Sequence, residues 1–164
     1  MSAYSHCIIV DDDEIDRLTV LSFVRKYPSL KVLGVYASPE EAIKGIGSIV
    51  PDIAFLDVDM PGMSGLELRR KLMEVPVVVF ITAYPDYAVE SFELEALDYM
   101  VKPISADRFA RCMERIAAYQ TMKSKAALLD HHLGGDTIVI KEGHQEVKIS
   151  LHEIIYLEAL RDYT

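Results

Sequence analysis

The sequence contains no tryptophan, only two cysteines, and no apolar run near the roughly 20 residues that a membrane-crossing helix requires. A membrane-spanning helix is therefore not expected. The opening residues, Met1 to His6, lack the basic stretch and apolar core of a secretory signal, so a cytoplasmic location is expected. Cys7 and Cys112 lie far apart and fit neither a disulfide framework nor a zinc-ligand spacing. Both are expected to be buried thiols with no nucleophilic role. Basic side chains are the minority: 17 Lys and Arg face 26 Asp and Glu, a formal net charge of -9. That balance opposes an electrostatic grip on nucleic acid by this chain. Internal repeats and low-complexity stretches are absent as well. What is present is a chain of 164 residues that is 51% hydrophobic. It is long enough for one domain, or for one domain and a fragment of another, and apolar enough to bury a core.

Short apolar runs alternate with helical periods over most of the chain. Strands are expected at His6 to Val10, Lys31 to Ala37, Asp52 to Leu56, Pro76 to Ile81 and Leu97 to Val101, each rich in β-branched or other apolar residues. Helices are expected between them. In the first, Ile15, Leu18, Leu21 and Val24 recur at spacings of three, predicting the buried face, and Pro28 stops the helix. Ser38-Pro39-Glu40-Glu41 and Ser64-Gly65-Leu66-Glu67 both read as capping boxes that open helices. A weaker helix is expected over Asp86 to Glu95. A long one follows Ser105, reaching Leu129 or beyond. Strands alternating with helices predict an α/β fold, a parallel sheet covered on both faces. Ligands in such folds sit at the carboxyl ends of the strands.

After Gly134-Gly135 the pattern changes. Ile138 to Ile140, Glu146 to Ser150 and Ile154 to Leu157 read as consecutive short strands with no helix between them. Three such strands can hardly form a stable core alone, so residues 137–164 are expected to be a stub of β strands.

The polar residues at the predicted strand ends form a chemical set. Asp11 and Asp12 follow the first strand, Asp57 the third, Thr82 the fourth and Lys102 the fifth. Clustered carboxylates repel one another unless a cation joins them, and hard oxygen ligands suit Mg²⁺. An aspartate carboxylate can attack phosphorus to give an acyl phosphate. A lysine and a metal ion would neutralise the transferring group, and the Thr82 hydroxyl can donate to a phosphate oxygen. Other candidates have blander readings. His131 and His132 are sequence neighbours that do not share a helix face, so a solvated helix end is expected rather than a metal site. Met60 and Met63 are expected to shape a loop.

Together these residues resemble the receiver domain of two-component response regulators. The matching motifs are Val10-Asp11-Asp12-Asp13, Asp57 with Met60-Pro61-Gly62 and Gly65-Leu66-Glu67, Thr82-Ala83-Tyr84, and Lys102-Pro103. The resemblance covers about residues 5–122. It implies a flavodoxin-like (βα)5 doubly wound sheet with strand order 2-1-3-4-5. It further implies that Asp57 is the phosphoacceptor and that Asp11, Asp12 and Asp57 hold Mg²⁺, with Asp59 offering its backbone carbonyl. Thr82 and Tyr99 resemble the switch pair, and Lys102 the phosphate-binding lysine, with a cis bond to Pro103. Asp13 stands where many relatives have Glu.

The wording of Ala83-Tyr84-Pro85-Asp86-Tyr87-Ala88 and Phe92 to Tyr99 is similar to regulators that carry a LytTR-type DNA-binding domain. Ile154 to Ala159 with Asp162-Tyr163 resembles that domain's opening strands. The resemblance therefore implies a receiver over 1–122, a linker over 123–136 that continues the last helix, and the start of a LytTR domain over 137–164, truncated within it. It implies a sensor histidine kinase as donor, a homodimer on activation, and DNA contact through the full-length effector rather than this fragment. On that reading the chain is not an enzyme beyond self-phosphorylation and self-dephosphorylation. The alternative is a Mg²⁺-dependent phosphohydrolase of haloacid-dehalogenase type, because Asp57-Val58-Asp59 resembles its nucleophile motif. That motif belongs after a first strand, whereas Asp57 follows the third.

Overall fold

The computed structural model describes residues 4–47, 49–84, 94–132, 137–142 and 145–150. The chain divides into two compact units, Met1–Ile116 and Ala117–Thr164.

In the first unit, five parallel strands form one sheet: β1 (Ser5–Val10), β2 (Leu30–Tyr36), β3 (Ile53–Asp57), β4 (Val77–Thr82) and β5 (Asp98–Val101). Their order is β2-β1-β3-β4-β5, so the chain reverses its direction of growth after β2. The expected fold class and strand order are both observed. Every residue of β3 and β4 is buried, as continuous apolar runs between two covered faces require. In β2 partly buried and exposed positions alternate, as suits an edge strand.

The helices α1 (Glu14–Val24), α2 (Pro39–Gly45) and α3 (Gly65–Lys71) cover the sheet together with the first part, up to Ile116, of the long helix Ala106–His132. The expected helix over Asp86 to Glu95 lies largely outside the described residues. On one face Ile8, Val10, Ala54, Leu56, Val78 and Phe80 pack with Ala42 of α2 and Leu66 and Leu68 of α3. On the other, Phe55 stacks on Phe109 of the long helix at 5.6 Å between ring centroids, and Phe23 of α1 stacks on the same ring at 5.3 Å. Offset aromatic packing of this kind adds to what area burial alone supplies.

Local chemistry sets the helix ends. Asp13 caps α1 by accepting from the Asp16 amide. Ser64 and Glu67 form the reciprocal capping box at α3. At α2 the Ser38 hydroxyl accepts from the Glu41 amide, but the Glu41 carboxylate reaches the Ala37 amide instead of Ser38. One sequence expectation fails in part in α1: Val24 is buried as expected, but the first two positions of the expected face are not. Ile15 and Leu18 are 74% and 57% exposed, and the buried positions are Val20 and Val24. A three-residue spacing drifts round a helix of 3.6 residues per turn, so it marks no single face over several turns. The four-residue step from Val20 to Val24 follows the stripe that meets the sheet.

In the second unit β6 (Thr137–Glu142) and β7 (Gln145–Ser150) pair antiparallel, with Ile138 opposite Ile149 and Ile140 opposite Val147. The third expected strand, Ile154 to Leu157, lies outside the described residues, as do the side chains of His131 and His132. Among the described residues no helix is long and apolar enough to cross a membrane.

Candidate functional site

The ends of three strands, two of them adjacent and the third beyond β4, build the site. β1 ends at Val10 and delivers Asp11 and Asp12; β3 ends on Asp57 itself; β5 ends at Val101 and delivers Lys102. One carboxylate oxygen each from Asp11, Asp12 and Asp57 lies within 4.8 Å of the others. Asp11 and Asp57 are buried, and Asp12 is exposed. The Lys102 Nζ stands 3.0 Å from Asp57 Oδ2 and 2.8 Å from Asp11 Oδ2. It also stands 2.8 Å from Oδ2 of Asp16, a partner that the sequence reading did not include.

The electrostatics follow from crowding. Burial raises the Asp11 carboxyl to about 6; the nearby Asp57 charge adds to this and Lys102 opposes it. Burial likewise raises Asp57, again against the pull of Lys102. Burial alone would lower Lys102, but its bonds to Asp11, Asp16 and Asp57 carry it above the ordinary lysine value. One ammonium thus serves several acids, and the pocket is short of positive charge. A hard divalent cation fits this donor set, since Mg²⁺ takes one or two carboxylates and fills its remaining positions with other oxygens.

Backbone interactions fix these groups. The Asp57 carboxylate accepts from the Asp59 amide at 3.3 Å, and the Asp11 carboxylate accepts from the Asp13 amide at 2.9 Å. Arg17 donates to the carbonyls of Asp11 and Asp12 at 2.7 and 2.8 Å, pinning the acidic loop to α1. Gly62 adopts a φ of 83°, a left-handed conformation that glycine tolerates, in the loop between Asp57 and α3. The Gly65 amide donates to the Val58 carbonyl at 2.9 Å, closing that loop. The Lys102-Pro103 bond is cis, as the resemblance implied.

Thr82 is fully buried at the end of β4, one residue beyond the Ile81 that pairs with Asp57. Its hydroxyl accepts from the Tyr84 amide at 3.3 Å, and the Tyr99 hydroxyl donates to the Tyr84 carbonyl. The backbone of Tyr84 therefore bridges Thr82 and Tyr99 through its N–H and its C=O, a link no sequence motif indicated.

Two buried charges were also missed. Asp98, just before Tyr99, accepts from Arg108 at 2.7 and 2.8 Å and from Arg115 at 2.8 Å. Arg69 is buried in α3 and donates to the carbonyls of Leu72, Val75 and Leu94. Seven-residue spacing between Arg108 and Arg115 was the only available signal for the first. Both cysteines are buried and free, and burial pushes both thiols up, that of Cys7 to about 12, so neither is a reactive thiolate. Met60 is buried in the core cluster beneath α2 and α3, and Met63 packs against that cluster.

Residues 7–114 match the response regulator receiver domain family. The chain belongs to that family. This receiver is 38% identical over 113 residues to an uncharacterised response regulatory protein of Vibrio cholerae, covering 66% of this chain and 43% of that protein. It is 29% identical over 160 residues to the transcriptional regulatory protein BtsR of Escherichia coli, covering 94% of this chain and 62% of BtsR. The chain thus spans about half the length of these curated relatives. Among solved structures, the response regulatory domain of mrkE from Klebsiella pneumoniae superposes with a TM-score of 0.65 at 28% identity, over 71% of this chain and 98% of that one. A CheY-like receiver from Methanospirillum hungatei gives the same TM-score at 21% identity, over 74% of this chain and 99% of that one, which speaks to the fold alone. Nothing in these likenesses supports the phosphohydrolase alternative.

Proposed function

We propose that this receiver is a phosphorylation-controlled switch in which Asp57 accepts a phosphoryl group from a sensor histidine kinase. The observation that carries the reading is the Lys102 ammonium 3.0 Å from the buried Asp57 carboxylate. In the reaction an Asp57 carboxylate oxygen forms the new O–P bond as the donor's P–N bond breaks, and the released imidazole takes up a proton. Lys102 donates to the oxygens of the transferred group, and the Thr82 hydroxyl supplies a further donor. Asp11, Asp12 and Asp57, with the Asp59 carbonyl, would hold Mg²⁺, which when bound supplies neutralising charge for phosphoryl transfer.

The switch follows from the link through Tyr84. When Thr82 turns toward the new phosphoryl group, its bond to the Tyr84 amide is given up, and the seat of the Tyr99 hydroxyl changes with it. To move such an equilibrium from 1:99 to 99:1, phosphorylation must favour one state by about 5.5 kcal/mol. The readout is a homodimer formed on activation, which would pair two LytTR-type DNA-binding domains of the full-length cytoplasmic protein. The motif wording, the hairpin within 137–150 and the likeness to a transcriptional regulatory protein support that effector.

The test is incubation with acetyl phosphate, or with beryllofluoride, in Mg²⁺. One phosphoryl group per chain is expected from acetyl phosphate, and one bound adduct from beryllofluoride, each on Asp57. Labelling that persists in Asp57→Asn would show that the acceptor is another residue.

A further inference from the structure

The Lys102 ammonium has three N–H donors, and three carboxylates surround it. Two of them, Asp11 and Asp57, belong to the acidic trio that can hold a metal ion; Asp16 does not. Its carboxylate is 37% exposed at the rim of the site, yet its 2.8 Å contact with Lys102 is as short as that of buried Asp11. We propose that Asp16 is a positioning residue for Lys102: its carboxylate accepts a hydrogen bond from one ammonium N–H and thereby aims the lysine at the acceptor carboxylate. The inference rests on the phosphoacceptor reading of Asp57.

Three observations support it. First, lysine is a flexible four-carbon stem that needs external contacts to hold one rotamer. With Asp11 and Asp16 each engaging one N–H, the tetrahedral nitrogen has one donor left, and that donor meets Asp57 Oδ2. A phosphoryl group on Asp57 would meet the same donor. Second, Asp16 is itself held. Its amide is bound by the Asp13 cap at 3.0 Å, and the next residue, Arg17, grips the Asp11 and Asp12 carbonyls. The first turn of α1 is thus fastened to the acidic loop, and Asp16 keeps a fixed bearing on the end of β5. Third, an ion pair exposed to this extent contributes little to folding. Its geometry therefore has more consequence for the site than for stability.

The experiment uses the 164-residue chain with acetyl phosphate and Mg²⁺, comparing the parent with Asp16→Ala and Asp16→Asn. Labelling of Asp57 should slow about five-fold in Asp16→Ala, the scale of one partly exposed charged contact. Asp16→Asn keeps an acceptor oxygen and should recover part of the rate. The melting temperature should stay close to the parent's. In a Lys102→Ala background the Asp16→Ala change should have no further effect on rate, because its target is gone. Equal rates in parent and Asp16→Ala, or the same slowing with and without Lys102, would overturn the proposal. Failure of the parent to label at all would strike the acceptor reading instead. The Lys102 ammonium resonances then decide separately, with an unchanged spectrum in Asp16→Ala counting against the contact.

Discussion

A side chain on Gly65 has no room against Asp57: a Cβ there would stand 1.9 Å from the Asp57 carbonyl oxygen and 2.8 Å from its carbonyl carbon. The obstacle is backbone, so it cannot swing aside as a flexible side chain would. Gly65→Ala is therefore expected to push α3 and the loop after Asp57 apart. The expected cost is about 1–3 kcal/mol, as for other overpacked sites, together with slower labelling of Asp57. Urea unfolding and acetyl-phosphate labelling check both, and a variant matching the parent in both would show that the loop relaxes freely.

Asp11 sets a pH dependence in protein free of divalent cations. Its native carboxyl is raised to about 6 from 3.8 by burial and by the Asp57 charge. The native state thus binds this proton more tightly than the unfolded chain does. Its contribution to stability should therefore grow as the pH falls from about 6 to about 4. Asp11→Asn removes the titrating group and should stabilise the metal-free protein at neutral pH, with a flatter profile across that window. Thermal melts from pH 4 to pH 8 give the comparison. A variant less stable than the parent at pH 7 would contradict the charge-crowding account.

Asp98 predicts the opposite sign. Burial pushes its carboxyl up, but the bonds from Arg108 and the Tyr99 amide outweigh this and hold it below the usual carboxylate value. Its contribution should be complete above the unfolded value near 4 and be lost as the pH falls through the lower native value. Asp98→Asn should cost about 3 kcal/mol at neutral pH, because Asp98 is buried while both arginines keep some contact with water. The parent should lose this advantage in acid, so the two unfolding curves should converge below about pH 4.

The sheet was legible in the sequence because its strands are almost wholly apolar and each ends at a polar residue: Val10 before Asp11, Ile81 before Thr82. That Asp11, Asp12, Asp57 and Lys102 would come together was legible for the same reason, since ligand chemistry in this fold gathers at strand ends. The α1 face was not, because spacing alone could not separate the stripe of Val20 and Val24 from exposed Ile15 and Leu18. Asp16, Arg17 and Asp98 also escaped. Each acts across elements, on Lys102, on the acidic loop and on Arg108, and no local pattern says which distant group a charged side chain will meet. Tyr84 joins Thr82 to Tyr99 through its backbone, an arrangement in which its side-chain identity carries no information.

The strand order has a kinetic side. β1 lies between β2 and β3, and the Lys102–Asp57 contact closes across 45 residues of chain. Parallel pairings of this span form late, because the entropy of closing the loop is lost before the contacts repay it. Until these pairings form, Asp57 lies on a segment apart from Asp11 and Asp12, and Lys102 on a third. On the proposed switch reading, completing the sheet and becoming able to take a phosphoryl group on Asp57 are one event.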